Sequence, residues 1–178
     1  MPIRPDGDQG GDTTPRLAAN VFVAPNAEVI GDVEMAVQSS VWFSSVIRAD
    51  GAPVSVGVGT DVQDNSVVDS RPGQPCRLGD HTAMGHGAVV HASIVGDHVL
   101  VAMNATVMPG CTIGAGSIIA ANAIVPVGTV VPPGSLVVGA EGRVARDVRP
   151  AESERIAGTA ARYVELAAEY VEGIGRGW

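Results

Sequence analysis

Eight side chains in four short stretches have the types and spacing to do chemistry. VWFSSVIRAD carries Arg48 and Asp50. VQDNSVVDS carries Gln63, Asp64 and Asp69. MGHGAVVH carries His86 and His91, and VAMNATVMPG carries Asn104. Two imidazoles with a carboxylate suit a two-histidine, one-carboxylate metal site. A carboxylate placed near a substrate suits general-base work. An aspartate beside an arginine suits a plain ion pair. The spatial neighbours of Asp69 decide among these, so the elements that carry it come next.

The elements follow from a repeat. Val95, Val101, Val107, Ile113, Ile119, Val125, Val131 and Val137 are spaced by six residues. The same spacing links Val23, Val29, Met35, Val41 and Ile47, then Val56, Val62 and Val68, then Leu78, Met84 and Val90. Phase breaks fall around 51–53, around 71–75, and at a one-residue deletion between Val90 and Val95. A period of six fits neither a helix nor a lone strand. It fits a short strand and a corner, repeated, with three sides closing a triangular coil. Coils stack at the strand spacing of about 4.8 Å. The aliphatic anchors fill the interior, and Gly, Asn and Asp take the corners. The fold class is therefore an all-β solenoid, a parallel β-helix over residues 17–148. Residues 1–16 read as a disordered tail. From about Glu152, Ile156, Ala160, Val164, Ala167 and Val171 recur at helical spacing. They predict a C-terminal amphipathic helix, residues 149–178, packed on the β-helix. Tyr163 and Tyr170 on it offer either packing or cover for a site.

Stacking the coils fixes the neighbours. Val56, Val62 and Val68 start sides A, B and C of one coil; Leu78, Met84 and Val90 start the same sides of the next. The residue after each side-C anchor then forms a column of Arg48, Asp69, His91 and Met108. Asp64, His86 and Met103 form a second column, with Gln63 beside Asp64. Arg48, Asp69 and His91 become cross-strand neighbours about 5 Å apart. His86 and His91 start on different sides, so one chain cannot easily aim both at one ion. A cyclic trimer bringing side B of one chain to side C of the next would. His81 and His98, each after a Gly-Asp step, read as solvent-facing corner residues.

Composition narrows the function. The 178 residues suit one domain. Net charge is −8, no basic run is present and aromatics are 3%, which argues against nucleic acid as a partner. No apolar run reaches a membrane span of about 18 residues, and the N-terminus has no apolar signal region. Two cysteines, Cys76 and Cys111, are consistent with a reducing cytoplasm. A small-molecule substrate is the expectation.

The four stretches quoted above resemble the γ-class carbonic anhydrases and their relatives, over nearly the whole chain after the tail. MNATVM and the terminal helix look most like the branch with phenylacetate- and carnitine-operon members. The resemblance implies a left-handed β-helix and a homotrimer with zinc or iron at the subunit interface. It implies His86 and His91 as metal ligands and places the third ligand, a histidine in the family, on Asp69. Gln63, Asp64 and Asn104 become the catalytic side chains, and Arg48 with Asp50 an interface ion pair. The acidic proton-shuttle loop of the best-known members has no counterpart, because 71–75 is short and carries no glutamate.

Asp69 alters the expected chemistry. A carboxylate cancels part of the metal's charge, so a bound water becomes less acidic. It is also shorter than imidazole by about 2 Å. Three readings stay open for it: partner of Arg48 with no metal, ligand, or general base. The expected activity is weak or altered carbonic anhydrase-type hydration, a lyase reaction. The alternatives are a repurposed hydrolase or lyase acting on a small acyl or CoA substrate, and a non-catalytic, metal-free trimeric scaffold. A hexapeptide acyltransferase fits the motifs less well.

Overall fold

The computed structural model of the chain describes residues 3–4 and 14–175. Its body is a parallel β-solenoid in which side B alone shows seven rungs: Val23, Val41, Val62, Met84, Val101, Ile119 and Val137. All anchors from Val29 to Val137 are buried, most of them completely. Burying one valine-sized side chain is worth roughly 1.5–3 kcal/mol, so the stacked anchors supply the core. Val23, in the first full coil, is only half-buried.

At most corners the backbone turns left-handed three residues after the anchor. On the B-to-C corner these residues are Ser44, Asn65, Gly87, Asn104 and Asn122, with φ from 57° to 70°. Gly87 meets a second demand, since a Cβ there would collide with Asn104 Oδ1 from the coil above. The phase breaks have distinct forms. At 51–53 the strand does not stop: Val46–Val56 runs on around the C-to-A corner. Its register against the coil below shifts between Gly31 and Val33, which absorbs the extra residues as a bulge. At 71–75 a tight turn closes on reciprocal backbone bonds between Arg71 and Gln74. The deletion after Val90 leaves Ala92 at φ 46°.

The last strand, Arg143–Asp147, runs antiparallel along Ser135–Val138, so the expected β-helix closes on a hairpin instead of a further coil. This pairs the open edge of side B. The helix spans Pro150–Gly175. Pro150 occupies its first turn, and Glu152 accepts from the Arg149 amide at 2.9 Å and from Arg146 at 2.8 Å through both oxygens. Those bonds hold the Glu152 carboxyl down at about 2. The helix lies on side B. Its packing face is Ile156, Ala160, Tyr163, Ala167 and Tyr170; Val171, expected there, is 54% exposed. The tyrosines displace it because they have partners. Trp42 meets Tyr163 and Tyr170 edge-on at 5.2 and 5.1 Å, with Phe22 and Phe43 alongside. Of the expected tail, residues 1–2 and 5–13 lie outside the described residues. Ile3–Arg4 pairs with Val29–Ile30, and Arg16–Leu17 with Glu34–Met35.

Candidate functional site

Side C carries the first group. Arg48 pairs in register with Asp69, and Asp69 with His91. The Arg48 guanidinium grips the Asp69 carboxylate with both arms, Nη2 to Oδ2 at 2.7 Å and Nε to Oδ1 at 3.3 Å. The same Nε lies 3.5 Å from Asp50 Oδ2. The Asp69 bond, with its negative charge, pushes the Arg48 pKa above its ordinary value. His91 Nε2 stands 4.0 Å from Asp69 Oδ2. The shortened corner locks this stack, because the Ala92 amide donates to the Asp69 carbonyl at 2.7 Å. The strand register seats His91 over Asp69, and the early corner at Ala92 follows directly after it.

The end of side B carries the second group. His86 Nδ1 lies 2.9 Å from Asp64 Oδ2, one coil below. Asp64 fixes that nitrogen and leaves Nε2 for another partner. The Asn104 backbone N–H donates to the His86 backbone carbonyl at 3.0 Å, placing Asn104 directly above as a left-handed corner residue. Gln63 is turned under the helix, where its Nε2 donates to Asp61 Oδ1 at 2.8 Å. Asp61 is 1% exposed, and its Oδ2 has no hydrogen-bond partner among the described residues. Burial drives its carboxyl well above the ordinary range. Tyr163 is pushed up to about 12, by burial first and then by the charges of Asp61 and Asp64.

Known proteins resemble this chain in sequence and fold. The hexapeptide family of bacterial transferases, a motif of six repeats, matches residues 92–126. A hexapeptide transferase family protein from Anaplasma phagocytophilum superposes with a TM-score of 0.88 at 29% identity, covering 94% of this chain and 97% of that one. The mitochondrial gamma carbonic anhydrase 2 of Arabidopsis thaliana is 42% identical over 56% of this chain and 38% of its own length. A protein of Methanocaldococcus jannaschii named "Probable carbonic anhydrase" is 46% identical over 85% of this chain and 95% of its own length. The chain belongs to the γ-carbonic anhydrase-like family. Within that family the two groups above are the ones to test against a metal.

The donors of this family member fit an ion only in part. His91 Nε2 and Asp69 Oδ2 are 4.0 Å apart, wider than the roughly 3.3–3.6 Å that two ligands of a tetrahedral ion span at bonds of about 2.0–2.2 Å, so the pair would have to close on an ion. His86 has the free nitrogen and the carboxylate behind it that metal-bound histidines usually have. Yet among the described residues no three histidine, cysteine, aspartate or glutamate side chains surround a common point. One chain therefore offers His91 and Asp69 on one side and His86 on another, as the spacing predicts.

One contributor, Asp61, was not singled out from the sequence. Asp61 holds Gln63, and its signal is a charge in a column otherwise filled by Phe22, Ser40, Ala83, Leu100, Ile118 and Leu136. His81 and His98, read as corner residues, stack their rings. Cys76 and Cys111 are buried free thiols, and burial raises Cys76 to about 11, so neither suits a nucleophile. No helix among the described residues is long and apolar enough to cross a membrane.

Proposed function

We propose that the protein is a homotrimer whose subunit junctions complete a γ-carbonic anhydrase-type site, and that it catalyses hydration of the CO2 type, weakened by Asp69. The observation that carries this is the division of donors: His91 beside Asp69 on side C, and His86 aimed outward from side B. Zinc or iron held by His86 of one chain with His91 and Asp69 of the next would act as a Lewis acid and acidify a water at neutral pH. Asp64 holds His86 in the ligand tautomer. Asp61 holds the Gln63 amide nitrogen and leaves its oxygen to orient a water. Asn104 braces the His86 corner, and Arg48 bridges Asp50 and Asp69. Asp69 adds a negative charge where the family has a neutral imidazole, which makes that water less acidic and the reaction slower. The setting is the reducing cytoplasm that two free buried thiols suit.

A second reading has its own support. Arg48 already satisfies Asp69 through two bonds without any ion, which suits a metal-free trimeric scaffold. Metal content per chain, measured with oligomer mass on untagged protein purified without chelator, separates the two. About one zinc or iron per chain in a trimer, with CO2 hydration above background, supports the enzyme. A metal-free trimer without activity supports the scaffold. A small acyl or CoA thioester as the true substrate would show as hydrolysis in a thioester panel that His86→Ala abolishes.

A further inference from the structure

Two Gly-Asp-His triplets, 79–81 and 96–98, recur one coil apart on the corner between sides A and B. This is the opposite end of side B from His86. His81 and His98 are both left-handed, at φ 52° and 54°. The same column elsewhere holds Gln38, Gly59, Gly116 and Gly134. Histidine, like asparagine, tolerates this left-handed corner, so the backbone admits the pair without requiring it. Their rings stack, with centroids 5.2 Å apart and planes 15° from parallel. The glycine below makes room, since a Cβ on Gly59 would lie 2.8 Å from His81 Nδ1.

The pair opens into a cavity of about 440 Å³ beneath the C-terminal helix, where Gln38 and Glu165 add an amide and a carboxylate to the lining. Ala161 and Val164 form the apolar wall. Asp80 and Asp97 flank the histidines, each using Oδ1 to accept one backbone amide, from Val58 at 2.8 Å and Asp80 at 2.9 Å. Arg162 reaches Glu165 at 3.5 Å but makes its shorter contact, 3.0 Å, with Glu169. The corner is thus rich in carboxylates, with two imidazoles at its centre.

We propose that this cavity binds a divalent transition-metal ion of the copper, nickel and zinc group through His81 and His98, with Glu165 as a third donor from the helix. Imidazole and carboxylate suit these ions. No three such groups already surround a point among the described residues. The proposed site requires the two stacked rings to turn toward a common ion, with water completing its shell. An ion there ties the helix to the solenoid corner and stabilises the native state, to which alone it binds.

The test uses full-length, untagged, chelator-stripped protein. Zn2+ is titrated calorimetrically into the wild type, His81→Asn, His98→Asn, Glu165→Gln and, as control, His86→Asn. Asparagine already serves at Asn104 and Asn122 in the left-handed corner conformation, so the fold is kept. Either corner variant should weaken one class of binding about tenfold or more, Glu165→Gln by less, and His86→Asn should leave that class intact. Separately, substoichiometric Cu2+ should broaden the ring-proton NMR signals of His81 and His98 in the wild type. Isotherms unchanged by both corner variants, or copper that leaves those two rings sharp, would overturn the proposal.

Discussion

Two carboxylates sit one coil below two histidines, and they choose opposite partners. Asp64 turns up to His86 at 2.9 Å; Asp69 turns down to Arg48 at 2.7 Å and stays 4.0 Å from His91. Both pairs are cross-strand neighbours on the same solenoid, so the local fold does not separate them. The next rung down does. In the rung below Asp69 lies Arg48. Below Asp64 the register continuing from Val41 and Val62 places Phe43, which offers no charge. In a stacked solenoid the role of a side chain is set by its neighbour about 5 Å beneath as much as by its own chemistry.

Replacing Asp69 breaks the comparison outright. Asp69→His gives side C the imidazole that the family resemblance expects and removes the partner of Arg48. If the proposed site is sound, CO2 hydration per chain rises about a hundredfold as the charge on the ion is restored, and bound metal approaches one per chain. Stopped-flow hydration with metal analysis checks both. Unchanged activity with unchanged metal content would favour the scaffold.

Asp64→Asn tests the other carboxylate. An amide cannot fix the His86 tautomer as a carboxylate does, so zinc affinity falls about tenfold or more. Chelator competition reads this directly. The side-C pair should remain intact in the variant.

Arg48→Gln asks what the arginine costs the metal. With Arg48 gone, Asp69, whose side chain is 14% exposed, loses its ion pair and becomes available to an ion beside His91. The metal-free protein should lose about 1 kcal/mol, or about 2–4 °C in Tm for a chain of this size. The Tm gain on adding zinc should exceed that of the wild type. A variant equally destabilised with and without zinc would show that Arg48 and metal do not compete for Asp69.

The Arg48, Asp69 and His91 column was legible because a period of six, once phased, leaves only one register. Val68 over Ile47 and under Val90 follows from counting, and the side chains one residue later follow from that. The separation of His86 from His91 came from the same count. The direction in which Asp69 turns was not legible, since the spacing fits Arg48 and His91 equally well; bond geometry decides it. The bulge at 51–53 was visible only as a loss of phase, because a continuous strand and a loop interrupt a repeat alike. Val171 was assigned to the buried face on spacing alone. The aromatic cluster around Trp42 brings the helix down on its tyrosines instead.

Asp61 is the third carboxylate of the comparison, and the one with neither arginine nor histidine. Its Oδ1 accepts from Gln63, and its Oδ2 is buried with no hydrogen-bond partner among the described residues. An ion is costly there, so the folded state keeps the acid neutral and its pKa rises well above the usual carboxylate value. The sign follows from linkage. Below about pH 4 the group is protonated in both the folded and unfolded chain, and it carries no penalty. As pH rises from there, the unfolded chain ionises first and stability falls by up to about 1.4 kcal/mol per pH unit until the folded pKa is reached. Asp61→Asn removes the titration while its Oδ1 still accepts from Gln63. The variant should therefore match the wild type near pH 4 and exceed it by about 1–3 kcal/mol at pH 7–8. Urea melts of the metal-free protein at several pH values measure the gap. A gap that does not widen with pH would mean the carboxyl ionises beneath the helix, with a partner supplied by another subunit or by water.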